Sequence, residues 1–105
     1  MTGIAGPCSR HSSVLYVDGP LRLPIHRRLR DDVRALLHTG ERCIVVDLAR
    51  VSSIDAAGVG ELVRAYNMAT AMNGFLRIAH PSVWVREILE RVGLAGLLIA
   101  QQEAA

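Results

Sequence analysis

The stretch from residue 44 to residue 60, IVVDLARVSSIDAAGVG, joins a short β-branched run to the start of a helix, and this junction constrains the fold most. The run that begins at Ile44 is apolar, which is typical of a strand covered on both faces. Asp55 is predicted to be a helix N-cap, because two alanines and a helically spaced apolar series follow it. The first N–H groups of that helix are therefore expected at the surface, where they can receive an anion or an acidic partner.

Apolar periodicity and turn residues along the chain predict one α/β domain with the element order ββαβαβαβ. The predicted strands cover residues 13–17, 21–23, 43–48, 75–79 and 97–99. Helices are predicted between them, since proline suits a first helical turn and glycine suits the position after the last one. The three helices are expected to begin near Pro24, Ala56 and Pro81 and to end before Gly40, Gly74 and Gly93.

The element order also predicts how the strands pair. The first two strands are expected to form a hairpin through a turn at residues 18–20. The later strands alternate with helices, so they are expected to be parallel and joined by right-handed crossovers. The prediction is a mixed β-sheet with helices packed on it, at residues 11–100. Residues 1–10 and 101–105 are predicted to be flexible tails.

Composition narrows the class of protein. Of the 105 residues, 50% are hydrophobic and 21% are charged, which indicates a single folded core rather than disorder. No apolar run is long enough for a membrane span and no signal peptide is recognised, so a cytoplasmic protein without membrane insertion is expected. A net charge of +2 is too small to indicate nucleic-acid binding.

Several kinds of chemistry are excluded by the residues present. The 12 basic residues are all arginine, so there is no P-loop lysine and no Schiff-base lysine. The histidines lack metal-ligand spacing, and Cys8 and Cys43 indicate neither a metal site nor a disulfide framework but a tail thiol and a small core residue. No nucleophile, base and orienting group converge in the motifs. We therefore expect no enzyme activity, no cofactor and no metal.

A family resemblance rests on several motifs in combination. They are Asp47-Leu48, the run Asp55-Ala56-Ala57-Gly58-Val59-Gly60, Gly74-Phe75-Leu76, Pro81, and Gly93-Leu94. Over roughly residues 13–99 the chain resembles the STAS family, the anti-sigma-factor antagonists and their relatives. The resemblance implies a STAS-like α/β domain that binds a protein partner, an anti-sigma factor or serine kinase, to regulate transcription.

The resemblance also identifies the regulatory position. In members with the full motif, the serine before the motif glycine is phosphorylated and the phosphorylated form no longer binds the kinase. The matching residue here is Ala57, a degenerate phosphoacceptor, and Ala56 also lacks a hydroxyl. The partner-binding residues implied are Asp55, Ala56, Ala57, Gly58, Val59 and Gly60. Without a hydroxyl at Ala57, we expect a surface permanently in the unmodified-like state.

Alternatives remain open. Ser52 and Ser53 are possible displaced phosphoacceptors, although their place before the cap favours ordinary connector hydroxyls. The chain is alternatively an accessory STAS module in a larger assembly, such as a stressosome-like or lipid-transport complex. A third hypothesis is nucleotide or anion binding at the helix start, which the absence of a glycine-rich loop disfavours. The oligomeric state is open, a homodimer included.

Some residues have both a structural and a functional interpretation. Asp55 is interpreted first as a cap and second as an acid facing the partner. Gly58 and Gly60 lower helix propensity, which either close approach of a partner or tight packing on the sheet would explain. Trp84 is expected to flank the core rather than to form a binding hot spot.

Overall fold

The computed structural model describes residues 12–23 and 29–98. Its elements, in chain order, are β1 (Ser13–Asp18), α1 (Leu29–His38), β2 (Cys43–Arg50), α2 (Ala56–Ala71), β3 (Phe75–Ala79), α3 (Val83–Arg91) and a 3₁₀ turn at Ala95–Leu97. The predicted α/β class is confirmed. The two predicted tails and the predicted first turn near Pro24 lie outside the described residues.

The sheet has the order β1-β2-β3, and its three strands are parallel. Ile44 of β2 pairs with Ser13 on one side and with Leu76 on the other. Alternate β2 residues, Ile44, Val46 and Leu48, are buried, so they form the centre of the core. Each connection between neighbouring parallel strands contains a helix. The helix α2 lies in the connection from β2 to β3, so it starts after the C-terminal end of the central strand.

The predicted hairpin between residues 13–17 and 21–23 does not form. Leu21 instead pairs in parallel with Ile54, and the Leu21 amide donates to the carbonyl oxygen of Ser53 at 2.8 Å. The pairing register of β1 shifts between Tyr16 and Asp18, and Gly19 has a φ of 81°. The chain therefore continues in its original direction beside the segment after β2. The described strands are all parallel as a result.

The helices bury the stripes that their periodicity predicts. The fully or almost fully buried residues are Leu29, Val33 and Leu37 of α1, Leu62, Ala65 and Ala69 of α2, and Val85 and Leu89 of α3. The last turn of α2 ends at Ala71 with Met72 as C-cap, and Asn73, at a φ of 63°, reverses the chain. Gly74 acts by close approach, because a Cβ there would lie 2.6 Å from Cδ2 of Leu37.

The remaining boundaries differ slightly from the predictions. The third helix begins at Val83, two residues after the predicted start at Pro81, and Oγ of its N-cap Ser82 accepts a hydrogen bond from the Val85 amide at 3.1 Å. The predicted last strand is reduced to one parallel bridge between Leu98 and Ile78. No helix within the described ranges is long and apolar enough to cross a membrane.

Cys43 is buried at the start of β2 and is disulfide-bonded. The expectation of a small core residue is met, but the expectation that the chain forms no disulfide is wrong. Cys8 lies outside the described residues. The spacing of two cysteines 35 residues apart carries no pairing signal, because pairing depends on the tertiary fold.

Candidate functional site

The start of α2 is held in place by the segment that connects it to β2. Val51 and Ile54 are buried in the core, whereas Ser52 is exposed and Ser53 is half-buried. The carbonyl oxygen of Ser53 accepts the hydrogen bond from Leu21. The buried residues at its two ends and the hydrogen bond to Leu21 thus anchor the connector, so the helix start has one defined position.

Asp55 fastens the helix start to a second segment. Its Oδ1 accepts a hydrogen bond from the Gly58 amide at 2.9 Å, which confirms the predicted N-cap. Its Oδ2 accepts one from the Leu23 amide at 3.1 Å. The hydrogen bond from Gly58, followed by the one from Leu23, lowers the pKa of Asp55, since both favour the ionised carboxylate. Both oxygens of the carboxylate are therefore engaged within the chain.

The two glycines of the motif have different roles. A Cβ on Gly58 would overlap the carbonyl oxygen of Leu21 and lie 2.8 Å from Cγ1 of Ile54. Packing therefore requires glycine at residue 58. A Cβ on Gly60 would meet only the guanidinium of Arg64, at 3.2 Å, and that side chain is free to move. The structure gives no packing reason for glycine at residue 60.

Apart from Asp55, the five other predicted site residues divide into two groups. Gly58 is buried, and Val59 is half-buried against the core, so these two residues support the helix start. Ala56 is exposed, and Ala57 and Gly60 are half-buried. The exposed side of the first helical turns therefore presents only small groups, which leaves the backbone approachable.

A cleft of about 390 Å³ opens beside this surface. We call it the α2 cleft; its walls are Leu23 and Arg30 on one side and Ala56, Ala57, Gly60, Glu61 and Arg64 of α2 on the other. Glu61 is 6% exposed, although it is a charged residue. Its Oε1 lies 3.9 Å from a guanidinium nitrogen of Arg64, and its Oε2 is buried without a hydrogen-bond partner in the described ranges.

Sequence reasoning missed Glu61 and the contact of Leu23. The only signal for Glu61 was its position one residue before Leu62 in the apolar series of α2. Leu23 is 32 residues from Asp55, and its role depends on a backbone amide, which carries no sequence signature. Both contributions follow from tertiary packing alone.

Other polar groups at this edge of the sheet are structural. Nδ1 of His80 lies 3.1 Å from Oδ2 of Asp47, whose Oδ1 accepts a hydrogen bond from the Ala49 amide at 2.8 Å. Asp47 thus holds the ends of β2 and β3 together. Within residues 12–23 and 29–98, no group of three or more His, Cys, Asp or Glu residues is arranged to bind a metal.

Trp84 does not flank the core, contrary to the prediction. It is 62% exposed, and its neighbour Val83 is 75% exposed. The N-cap at Ser82 places both residues in the first turn of α3, ahead of the buried residue Val85. They form an exposed apolar pair at the edge of the sheet where α2 also begins.

The fold and this exposed, capped helix start define a small α/β domain with a parallel sheet and three helices. The chain belongs to the STAS domain family: residues 7–100 match the family model described as Mlab, STAS domain. The resemblance predicted from the motifs is thereby confirmed. No curated protein sequence matches this chain.

Solved structures share the fold. An anti-sigma factor antagonist from Thermotoga maritima is similar with a TM-score of 0.67 and 20% identity, over 89% of this chain and 83% of that one. The phosphorylated Bacillus cell fate determinant SpoIIAA is similar with a TM-score of 0.63 and 22% identity, over 90% of this chain and 88% of that one. A sulfate transporter family protein from Wolinella succinogenes is similar with a TM-score of 0.64 and 18% identity, over 83% of this chain and 75% of that one. At these identities the likeness shows the fold alone.

Proposed function

We propose that this STAS domain is a non-enzymatic regulator that binds an anti-sigma factor or serine kinase through the start of α2. The observation that carries the proposal is the surface formed by Ala56, Ala57 and Gly60, where side chains no larger than a methyl group leave the helix backbone approachable. We call it the docking surface. Family membership and the fold shared with two antagonists support this kind of partner.

The docking surface is preorganised. Asp55 accepts hydrogen bonds on both oxygens, and Gly58 packs against the Leu21 carbonyl group, so the helix start does not need to order itself when a partner arrives. Preorganisation lowers the entropy cost of association. A surface of this kind is suited to binding whenever the partner is present.

The proposed regulator is not controlled by a phosphate at the position that the family phosphorylates. One similar structure is SpoIIAA in its phosphorylated form, whereas Ala57 has no hydroxyl to modify. Ser52 is the more accessible alternative, because it is exposed while Ser53 is half-buried and its carbonyl oxygen accepts a hydrogen bond. The proposed protein is therefore a constitutive antagonist, or a decoy that occupies the kinase.

A cytoplasmic location is part of the proposal, since sigma factors act there. The disulfide at Cys43 is the feature to be tested against this location, because thiols are ordinarily kept reduced in that compartment. Mass spectrometry of protein alkylated during lysis would measure the state of Cys43.

The second candidate function is an accessory STAS module in a larger assembly, such as a transport complex. The description of the family model as Mlab and the similar sulfate transporter family protein favour it. The exposed pair Val83 and Trp84 at the start of α3 adds apolar surface, which would suit a more extensive interface.

The test is calorimetric titration of this chain with serine-kinase-type anti-sigma factors encoded in the same genome. Ala57→Glu adds a charge at the docking surface and is expected to weaken binding at least about tenfold, because the carboxylate must be desolvated at the contact. Ala35→Glu, at an exposed position of α1, is the matched control and should bind as wild type does. Equal affinity of wild type and Ala57→Glu would show that the partner binds elsewhere.

A further inference from the structure

Within the part of the chain that the structure describes, Glu61 is the one charged or polar residue that is buried. Its side chain is 8% exposed, and its Oε2 has no hydrogen-bond partner among the residues that the structure describes. Buried polar atoms in proteins are almost always hydrogen-bonded, so an orphaned carboxylate oxygen needs a specific reason. Arg64 does not supply a partner, because its guanidinium is 3.9 Å from the other oxygen and lies mostly in solvent.

The α2 cleft that Glu61 lines also contains two guanidinium groups. Arg30 is half-buried and makes no hydrogen bond or ion pair with residues 12–23 or 29–98, and Arg64 is exposed. The start of α2 lies at the same cleft, since Ala56 and Ala57 belong to its wall, but the carboxylate of Asp55 already faces the positive end of the helix dipole, so the guanidinium groups supply the attraction for an anion. One part of the cleft is thus suited to an anion, whereas Oε2 of Glu61 is suited to a hydrogen-bond donor.

We infer that the α2 cleft is a binding site for an α-amino acid in its zwitterionic form. The ammonium group donates to Oε2 of Glu61, and the carboxylate group binds Arg30 and Arg64 at the start of α2. The apolar wall formed by Leu23 and the two alanines accepts an aliphatic side chain. The volume of about 390 Å³ lies in the range of small-molecule sites.

The charges of the cleft favour a zwitterion over simpler ligands. An anion that lacks a donor would leave Oε2 unpartnered and would face the negative charge of Glu61. A cation alone would be repelled by Arg30 and Arg64. Only a ligand that carries both charges within a few ångströms complements all three side chains. The exposed side chain of Arg64 can move aside to admit it.

This site shares Ala56, Ala57 and Gly60 with the docking surface, but its test needs no protein partner. The full chain, labelled with ¹⁵N, is titrated with L-leucine and with two analogues that each lack one charge, N-acetyl-L-leucine and L-leucinamide. We expect saturable shifts of the Ala57 and Gly60 amides with L-leucine, a millimolar Kd by calorimetry, and no saturable shift with either analogue.

Two variants test the role of the carboxylate. Glu61→Gln keeps the size of the side chain and should weaken L-leucine binding by about tenfold or more, the scale of one charge-assisted hydrogen bond. Glu87→Gln, at an exposed position of α3, is the matched control and should bind as wild type does. A thermal melt establishes that both variants are folded.

Three results would overturn the inference. They are the absence of binding by L-leucine, equal binding of N-acetyl-L-leucine, which would indicate a plain anion site, and unchanged affinity in folded Glu61→Gln. Because the measurement uses a free amino acid, failure here leaves the proposed partner untouched, and failure to find the partner leaves this site untouched.

Discussion

Asp55 and Leu23 are 32 residues apart in the chain, and Oδ2 of Asp55 accepts a hydrogen bond from the Leu23 amide at 3.1 Å. The same carboxylate caps α2 through Gly58. One side chain therefore both begins a helix and attaches it to the segment that follows β1. The geometry of the docking surface depends on this double attachment.

The double attachment predicts an order of stability for Asp55 variants. Asp55→Asn keeps a good cap acceptor but has only one oxygen, so either the Gly58 or the Leu23 hydrogen bond is lost. Asp55→Ala loses both. The melting temperature should fall from wild type to Asn and further to Ala. An Asp55→Asn variant with the melting temperature of wild type would show that the contact to Leu23 does not stabilise the fold.

Stability should also decrease in acid through Asp55. Hydrogen bonds from Gly58 and Leu23 lower its pKa in the folded state below the ordinary value of 3.8. The stabilisation is therefore complete above the unfolded-state pKa and is lost as the pH falls through the folded-state pKa. Urea unfolding between neutral and acidic pH should show this decrease in wild type and a smaller one in Asp55→Asn. The same decrease in wild type and in Asp55→Asn would show that Asp55 is not the group responsible.

The two motif glycines should respond oppositely to alanine. Gly58→Ala should be strongly destabilising, because the new Cβ collides with the Leu21 backbone and with Ile54. Gly60→Ala should be neutral or stabilising by up to about 1 kcal/mol, since alanine favours the helix and only the mobile Arg64 is near. Urea unfolding measures the free energy of unfolding of both variants, which carry the same glycine-to-alanine substitution at two positions of the motif. Similar losses would show that residue 60 is also constrained by packing.

Phosphorylation should be absent from the motif of the wild-type chain. Incubation with a cognate serine kinase and ATP is expected to leave it unmodified, because Ala56 and Ala57 have no hydroxyl. Ala57→Ser should accept a phosphate if the rest of the recognition surface is intact. Intact-mass spectrometry measures both. A phosphate on Ser52 or Ser53 of wild type, with loss of partner binding, would overturn the constitutive interpretation.

The two faces of α3 should differ sharply. Trp84→Ala should change the free energy of unfolding by no more than about 0.5 kcal/mol, because the side chain is 62% exposed. Leu89→Ala should cost about 2–5 kcal/mol, since Leu89 is fully buried. Chemical denaturation of both variants tests the placement of the helix. A large loss for Trp84→Ala would show that Trp84 packs on the core.

The features that were predictable from the sequence are those that local residues determine. The bounds of β3 were predicted correctly, and Asp55 was identified as the cap because capping depends on residues within one turn. The prediction of a hairpin was wrong. A Gly-Pro turn is typical of a chain reversal, whereas Leu21 here pairs in parallel with the distant residue Ile54. The burial of Glu61 likewise depends on how α2 packs against distant residues.

The attachment of residues 21–23 to Ser53 and Asp55 also limits how the chain can vary in length. One residue inserted between β1 and Leu23 would shift the following amides by about 3.3 Å, roughly the length of a hydrogen bond. The Leu21 amide would then miss Ser53, and the Leu23 amide would miss Asp55. Insertions at Gly19 and Pro20 should therefore be rejected in evolution, although these residues form a surface turn of the kind that normally tolerates them.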